Sequence, residues 1–87
     1  MAFYVYILQS DFDNSFYKGF TENYCVRLIQ HNNGESEYTS LRRPWKLVYV
    51  EELPTKREAL IREKNLKKAT RERLIAIIDC NKNILKK

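Results

Sequence analysis

The sequence predicts an α+β domain with elements in the order β-β-α-β-α-α, and three observations carry that expectation. Three stretches rich in aromatic and β-branched residues, 3–8, 16–20 and 45–52, are bounded by turn formers. Between and after them lie segments with helical apolar spacing and recognisable caps. No segment repeats, and none has the composition of a linker.

The first stretch, FYVYIL, is apolar on both alternating faces, as a strand covered on both sides would be. SDFDNS, from Ser10 to Ser15, is dense in turn formers and leads into FYKGF from Phe16, so the two runs read as a β-hairpin. Thr21 can cap a helix from about Glu22 to Asn32, and Gly34 offers the left-handed residue that often ends one. Residues 35–44 read as a polar loop that ends in Arg42-Arg43-Pro44. WKLVYVEE, residues 45–52, is the third strand. After Pro54, the Thr55…Glu58 pair forms a capping box for a helix that reaches about Lys68. Thr70 then caps a last helix, whose apolar face of Leu74, Ile75, Ile78 and Leu85 continues to the C-terminal lysines.

At 87 residues the chain is expected to form one domain, 1–87, and to bury roughly 60 to 65 % of its surface without disulfides or metals. Cys25 and Cys80 lie far apart with no metal-ligand spacing, so they read as buried or half-buried thiols. No apolar run is long enough to span a membrane, and no secretory leader pattern opens the sequence. A cytoplasmic location without membrane contact is the expectation. Sixteen Lys and Arg against eleven Asp and Glu give +5, which suits either a polyanionic partner such as nucleic acid or a basic surface with no partner.

Three positions break the pattern. Cys25, Leu28 and Ile29 mark the inner side of the first helix, which places Arg27 and His31 together on its opposite flank, either as a solvated pair or as part of a site. Ala59, Leu60 and Leu66 define the stripe of the next helix, and Glu63 falls inside it. A carboxylate there needs a basic neighbour, a metal ion or an open cleft. Gly19 sits within a strand just after Tyr17 and Lys18, either to let a phosphate approach the backbone or to allow a bulge.

Val5-Tyr6-Ile7, then Tyr17-Lys18-Gly19, the helix with Arg27 and His31, and Glu63 in REALIREKNLKK together resemble the GIY-YIG nuclease domain. The blocks YVYIL, YKGFT, RRPWKLVY and EALIREKNLKK are similar to the small standalone bacterial GIY-YIG proteins. The resemblance implies a small three-stranded antiparallel sheet flanked by helices and a DNA-cutting activity that uses one divalent metal, Mg2+ or Mn2+. It further implies catalytic roles for Tyr6, Tyr17, Arg27, His31 and Glu63, with Glu63 as the metal ligand. Lys18 replaces the isoleucine of the second motif, and Tyr4-Val5 stands in place of Gly-Ile in the first. Neither change removes a group that the chemistry needs. Lys18, Gly19, Arg42, Arg43, Lys64 and Lys67 are the expected DNA contacts, chiefly to phosphates, which makes binding salt-dependent. A non-catalytic or weakly catalytic adaptor that binds nucleic acid alongside a protein partner is the second expectation.

Overall fold

A computed structural model describes residues 2–86; Met1 and Lys87, the ends of the expected domain, lie outside them. The strands are β1 (Phe3–Ser10), β2 (Phe16–Thr21) and β3 (Trp45–Leu53), and they form one antiparallel sheet in the order β2-β1-β3. Helices α1 (Tyr24–Asn32), α2 (Glu37–Ser40), α3 (Lys56–Lys68) and α4 (Arg71–Ile78) follow, with a short 3-10 turn over Ile84–Lys86. The α+β order and the three-stranded antiparallel sheet are as expected. Among the described residues, no helix is long and apolar enough to cross a membrane.

The doubly apolar character of β1 is explained by its central place. Val5 and Ile7 face Ala59, Leu66 and Leu74 of α3 and α4, while Tyr6 and Leu8 face the other way into a cluster with Trp45, Val50 and Leu28. Full burial of an aliphatic side chain contributes about 1.5–3 kcal/mol, so the central strand anchors the sheet more strongly than either flank. The β1–β2 ladder runs without interruption from Tyr4↔Thr21 to Gln9↔Phe16. The irregularity lies instead in the β1–β3 ladder, between Ile7 and Leu8, so the bulge considered for Gly19 is not there.

Local chemistry sets the element ends. Ser10 Oγ accepts from the Phe12 and Asp13 amides and donates to the Arg42 carbonyl, tying the hairpin tip to the segment before β3. Asn14 takes the positive φ of 63° that the turn requires, a conformation asparagine tolerates better than most residues. Thr55 caps α3 as expected, its Oγ1 accepting from the Glu58 amide, while the Glu58 carboxylate accepts from the Thr55 hydroxyl and not from its amide. Gly34 has φ +79°, and the Gly34 and Glu35 amides donate to His31 and Gln30, closing α1 in a Schellman motif.

Four expectations need correction. The cap of α1 is Asn23, whose side chain accepts from the Val26 amide, while Thr21 accepts from the Asn23 amide in a turn just before it. The segment 35–44 is not wholly a loop, because α2 forms within it. The last helix stops at Ile78. There Asn83 folds inward, accepts from the Val50 amide and donates to the Val48 and Ile78 carbonyls, and Leu85 ends exposed. Finally, Cys25 is exposed, because the inward side of α1 is carried by Tyr24, Leu28 and His31.

Candidate active site

The site grows from the Tyr6↔Gly19 pair at the β1–β2 ladder. A Cβ on Gly19 would lie 2.5 Å from both Cζ and Oη of Tyr6, so the absent side chain is what lets this ring lie across β2. The space that a side chain on Gly19 would take is therefore filled by a phenol. Lying this way, Tyr6 is 1% exposed and its hydroxyl reaches His31 Nε2 at 3.1 Å.

His31 is buried, contrary to the solvated-flank expectation, because groups from two other segments satisfy both ring nitrogens. Nδ1 lies 2.8 Å from Thr39 Oγ1, and Nε2 also meets Arg27 Nη2 at 3.4 Å. A guanidinium can only donate, so Nε2 is the acceptor, Tyr6 donates to it, and Nδ1 carries the proton toward Thr39. Burial and the Arg27 charge lower the imidazole to about 4, and burial above all raises the Tyr6 phenol. Both groups are thus neutral at pH 7.

This protonation state has a measurable consequence. The folded His31 lies below its unfolded value of about 6.5, so its contribution to stability is complete above that pH and falls away as pH drops toward 4. The loss is about 3 kcal/mol by pH 4. The chain has one histidine, so its NMR titration is unambiguous. The ring resonances are expected to stay flat from pH 8 to 5.5; a midpoint near 6.5 would contradict the buried, doubly bonded ring.

Tyr17 extends the group toward solvent. Its ring centroid is 4.9 Å from His31, 6.3 Å from Tyr6 and 5.7 Å from Tyr38. Phe16, Tyr17, Lys18, Tyr38 and Lys67 line an open cleft of about 480 Å³. Glu63, one turn before Lys67 on α3, is half-buried and pairs with the Lys67 ammonium at 3.5 Å. Its charge also acts on the Tyr6 phenol. Of the alternatives raised for a carboxylate in the stripe, a basic neighbour and a nearby cleft both hold. Lys67 is 56% exposed at its side chain, so the pair is open to solvent and readily exchanged.

Among the described residues, no three His, Cys, Asp or Glu side chains gather into a metal cage. A single carboxylate beside an open cleft nonetheless suits a hard cation such as Mg2+, which keeps several waters and takes its other ligands from a substrate phosphate. Glu63 is the residue that fits that part.

Tyr6, Tyr17, Arg27 and His31 are brought together, Glu63 acts on Tyr6, and Lys18 and Lys67 stand at the cleft. Lys64 instead shares the exposed side of α3 with Lys56, Arg57, Leu60 and Ile61. Arg42 pairs with Asp13 at 3.1 Å, and Arg43 donates to the Ser40 carbonyl; both are exposed on the segment before β3. Thr39 and Tyr38 escaped the sequence reading because they lie in what looks like a polar loop. A second buried polar group, Tyr49 with Glu51 and Arg62, braces the opposite face of the sheet; Tyr49 donates to Glu51, and Arg62 meets the same carboxylate at 3.0 Å.

The sequence profile of the GIY-YIG catalytic domain matches residues 2–76. A UPF0213 protein of Clostridium perfringens is 47% identical over 76 residues, covering 86% of this chain and 81% of its own length. One from Staphylococcus epidermidis is 43% identical over 76 residues, covering 86% of this chain and 92% of its own. The solution NMR structure of a UPF0213 protein from Bacillus halodurans superposes with a TM-score of 0.61 at 32% identity, covering 94% of this chain and 87% of that one. The profile match and the shared fold thus place the chain in a nuclease superfamily as a small catalytic-type domain. The chain belongs to the GIY-YIG family, whose nuclease character implies DNA as the substrate class and a divalent metal as cofactor.

Proposed function

We propose that the protein hydrolyses DNA phosphodiester bonds with one divalent cation, Mg2+ or Mn2+, held at Glu63. The observation that carries this reading is the meeting of Tyr6, Arg27 and His31 around one nitrogen, with the Tyr17 ring packed at a tilt beside them. A cation bound at Glu63 would lower the pKa of a water and draw charge from the phosphoryl oxygens.

The chain's own groups account for the remaining needs. The Arg27 guanidinium, held by Gln30 at 2.7 Å and only loosely by His31, is free to turn its remaining N–H groups onto phosphate oxygens. Tyr17, which lines the cleft, can accept a hydrogen bond from the attacking water through its hydroxyl, while the buried Tyr6 directs its proton at Nε2 and holds the imidazole in place. Thr39 fixes the His31 tautomer that makes this direction possible. Lys18 and Lys67 supply phosphate contacts along the cleft, with Arg42 and Arg43 farther out.

The Glu63–Lys67 pair also favours a second reading: an adaptor that binds nucleic acid alongside a protein partner, with the carboxylate kept neutralised by its lysine. The two readings part in one assay. Supercoiled, branched and single-stranded DNA are each incubated with the protein in Mg2+, Mn2+ or EDTA. Cutting that requires the cation is expected; binding to all three with no cutting in either metal would overturn the hydrolytic reading in favour of the adaptor.

A further inference from the structure

We propose that the cleft beside His31 is a stacking site for one unpaired nucleobase, the base of a nucleotide next to the scissile phosphate, laid against Tyr38 and Tyr17. The inference rests on the hydrolytic reading for where the phosphate sits. It deepens that reading by naming a substrate class: nucleic acid with at least one base out of its helix at the point of cutting.

Tyr38 is the unexplained residue. It is 71% exposed, yet its ring stands 5.7 Å from Tyr17 at a 49° tilt and forms a wall of the cleft. Its backbone is not loosely held. The next residue, Thr39, meets the His31 ring through its hydroxyl, and its carbonyl accepts from Trp45 Nε1 at 2.9 Å. The bonds that set the His31 tautomer therefore also set the place of the exposed ring. Tyr17 touches both sides of this arrangement, 4.9 Å from His31 and 5.7 Å from Tyr38.

The remaining walls fit a nucleotide. Lys18 and Lys67 bring two ammonium groups to the same cleft, and their mutual repulsion, after burial, lowers the Lys18 pKa. A phosphate between them relieves that repulsion. Phe16 completes the lining with a ring whose other neighbour is the Arg71 guanidinium, 4.6 Å from its centroid. Aromatic faces flanked by cations are the composition that binds single strands, because every base offers a π-face whatever its sequence. A base within a duplex has both faces covered by its neighbours, so it reaches Tyr38 only when unstacked.

The test measures binding in EDTA, where cutting is off. Three labelled probes are compared by fluorescence anisotropy: a short oligothymidylate, a deoxyribose-phosphate oligomer of equal length and charge without bases, and a duplex. Wild type is expected to bind the oligothymidylate about 10-fold more tightly than the baseless oligomer. Tyr38→Ala should erase that difference, Tyr38→Phe should keep it, and duplex binding should match wild type in both variants. Equal wild-type affinity for the two single strands overturns the proposal whatever the variants do. So does a Tyr38→Ala protein that keeps the base advantage or weakens on duplex equally. A protein that prefers bases through Tyr38 but never cuts would sink the hydrolytic reading alone, and one that cuts while indifferent to Tyr38 would sink only the stacking site.

Discussion

Glu63→Gln is expected to lower metal-dependent cutting by at least about 100-fold while DNA binding holds or tightens. The two effects diverge because the substitution removes a negative charge paired with Lys67, at the edge of a cleft lined by Lys18 and Lys67. Freed from its partner at 3.5 Å, the Lys67 ammonium becomes available to phosphate. Glutamine keeps the shape of the side chain, and an i,i+4 pair with its lysine in solvent contributes only about 0.3–0.5 kcal/mol, so the fold should be untouched. Cutting rates, anisotropy and urea midpoints measured on one preparation separate the roles. Cutting within a few-fold of wild type would show that the carboxylate serves α3 and not the chemistry.

Gly19→Ala should damage both stability and cutting, although the residue bears no functional group. The new methyl would meet the Tyr6 Cζ and Oη at 2.5 Å, and a ring that is almost wholly buried has no open space to move into. Overpacking of this kind costs about 1–3 kcal/mol. Whatever shift relieves it carries the hydroxyl away from His31 Nε2, and a displacement of about 1 Å in a positioned group can cost about 100-fold in rate. Urea unfolding and the cutting assay check the two halves. A variant equal to wild type in both would mean that Tyr6 does not need its place across β2.

The strand pattern, the helix cap at Thr55 and the glycine stop at Gly34 were legible in the sequence because each depends on neighbours within a few residues. So was the oddity of Glu63, since an acid among apolar positions stands out at helical spacing. The orientation of α1 was not legible. Cys25 and Ile29 look inward by composition, yet Ile29 is 59% exposed and His31 is buried. What reverses the preference is polar satisfaction supplied from afar, by Tyr6 25 residues away and Thr39 eight away. The same holds for Asn83, whose bonds to Val48 and Val50 end the last helix early and leave no local mark in the sequence. The family resemblance groups Arg27 with His31 by motif spacing, which does not depend on how the helix is rotated, and the two side chains meet at 3.4 Å.

The sheet order divides the site between two mechanical regimes. Tyr6 rides on the middle strand, hydrogen-bonded along both flanks, whereas Tyr17, Lys18 and Gly19 ride on an outer strand with one ladder only. Outer strands breathe at lower free energy than strands locked on both sides. On the proposed function, the mouth can thus widen around an incoming polymer while the phenol–imidazole contact at its root keeps its geometry, so admitting a bulky chain and keeping the buried groups in place do not compete for the same piece of backbone.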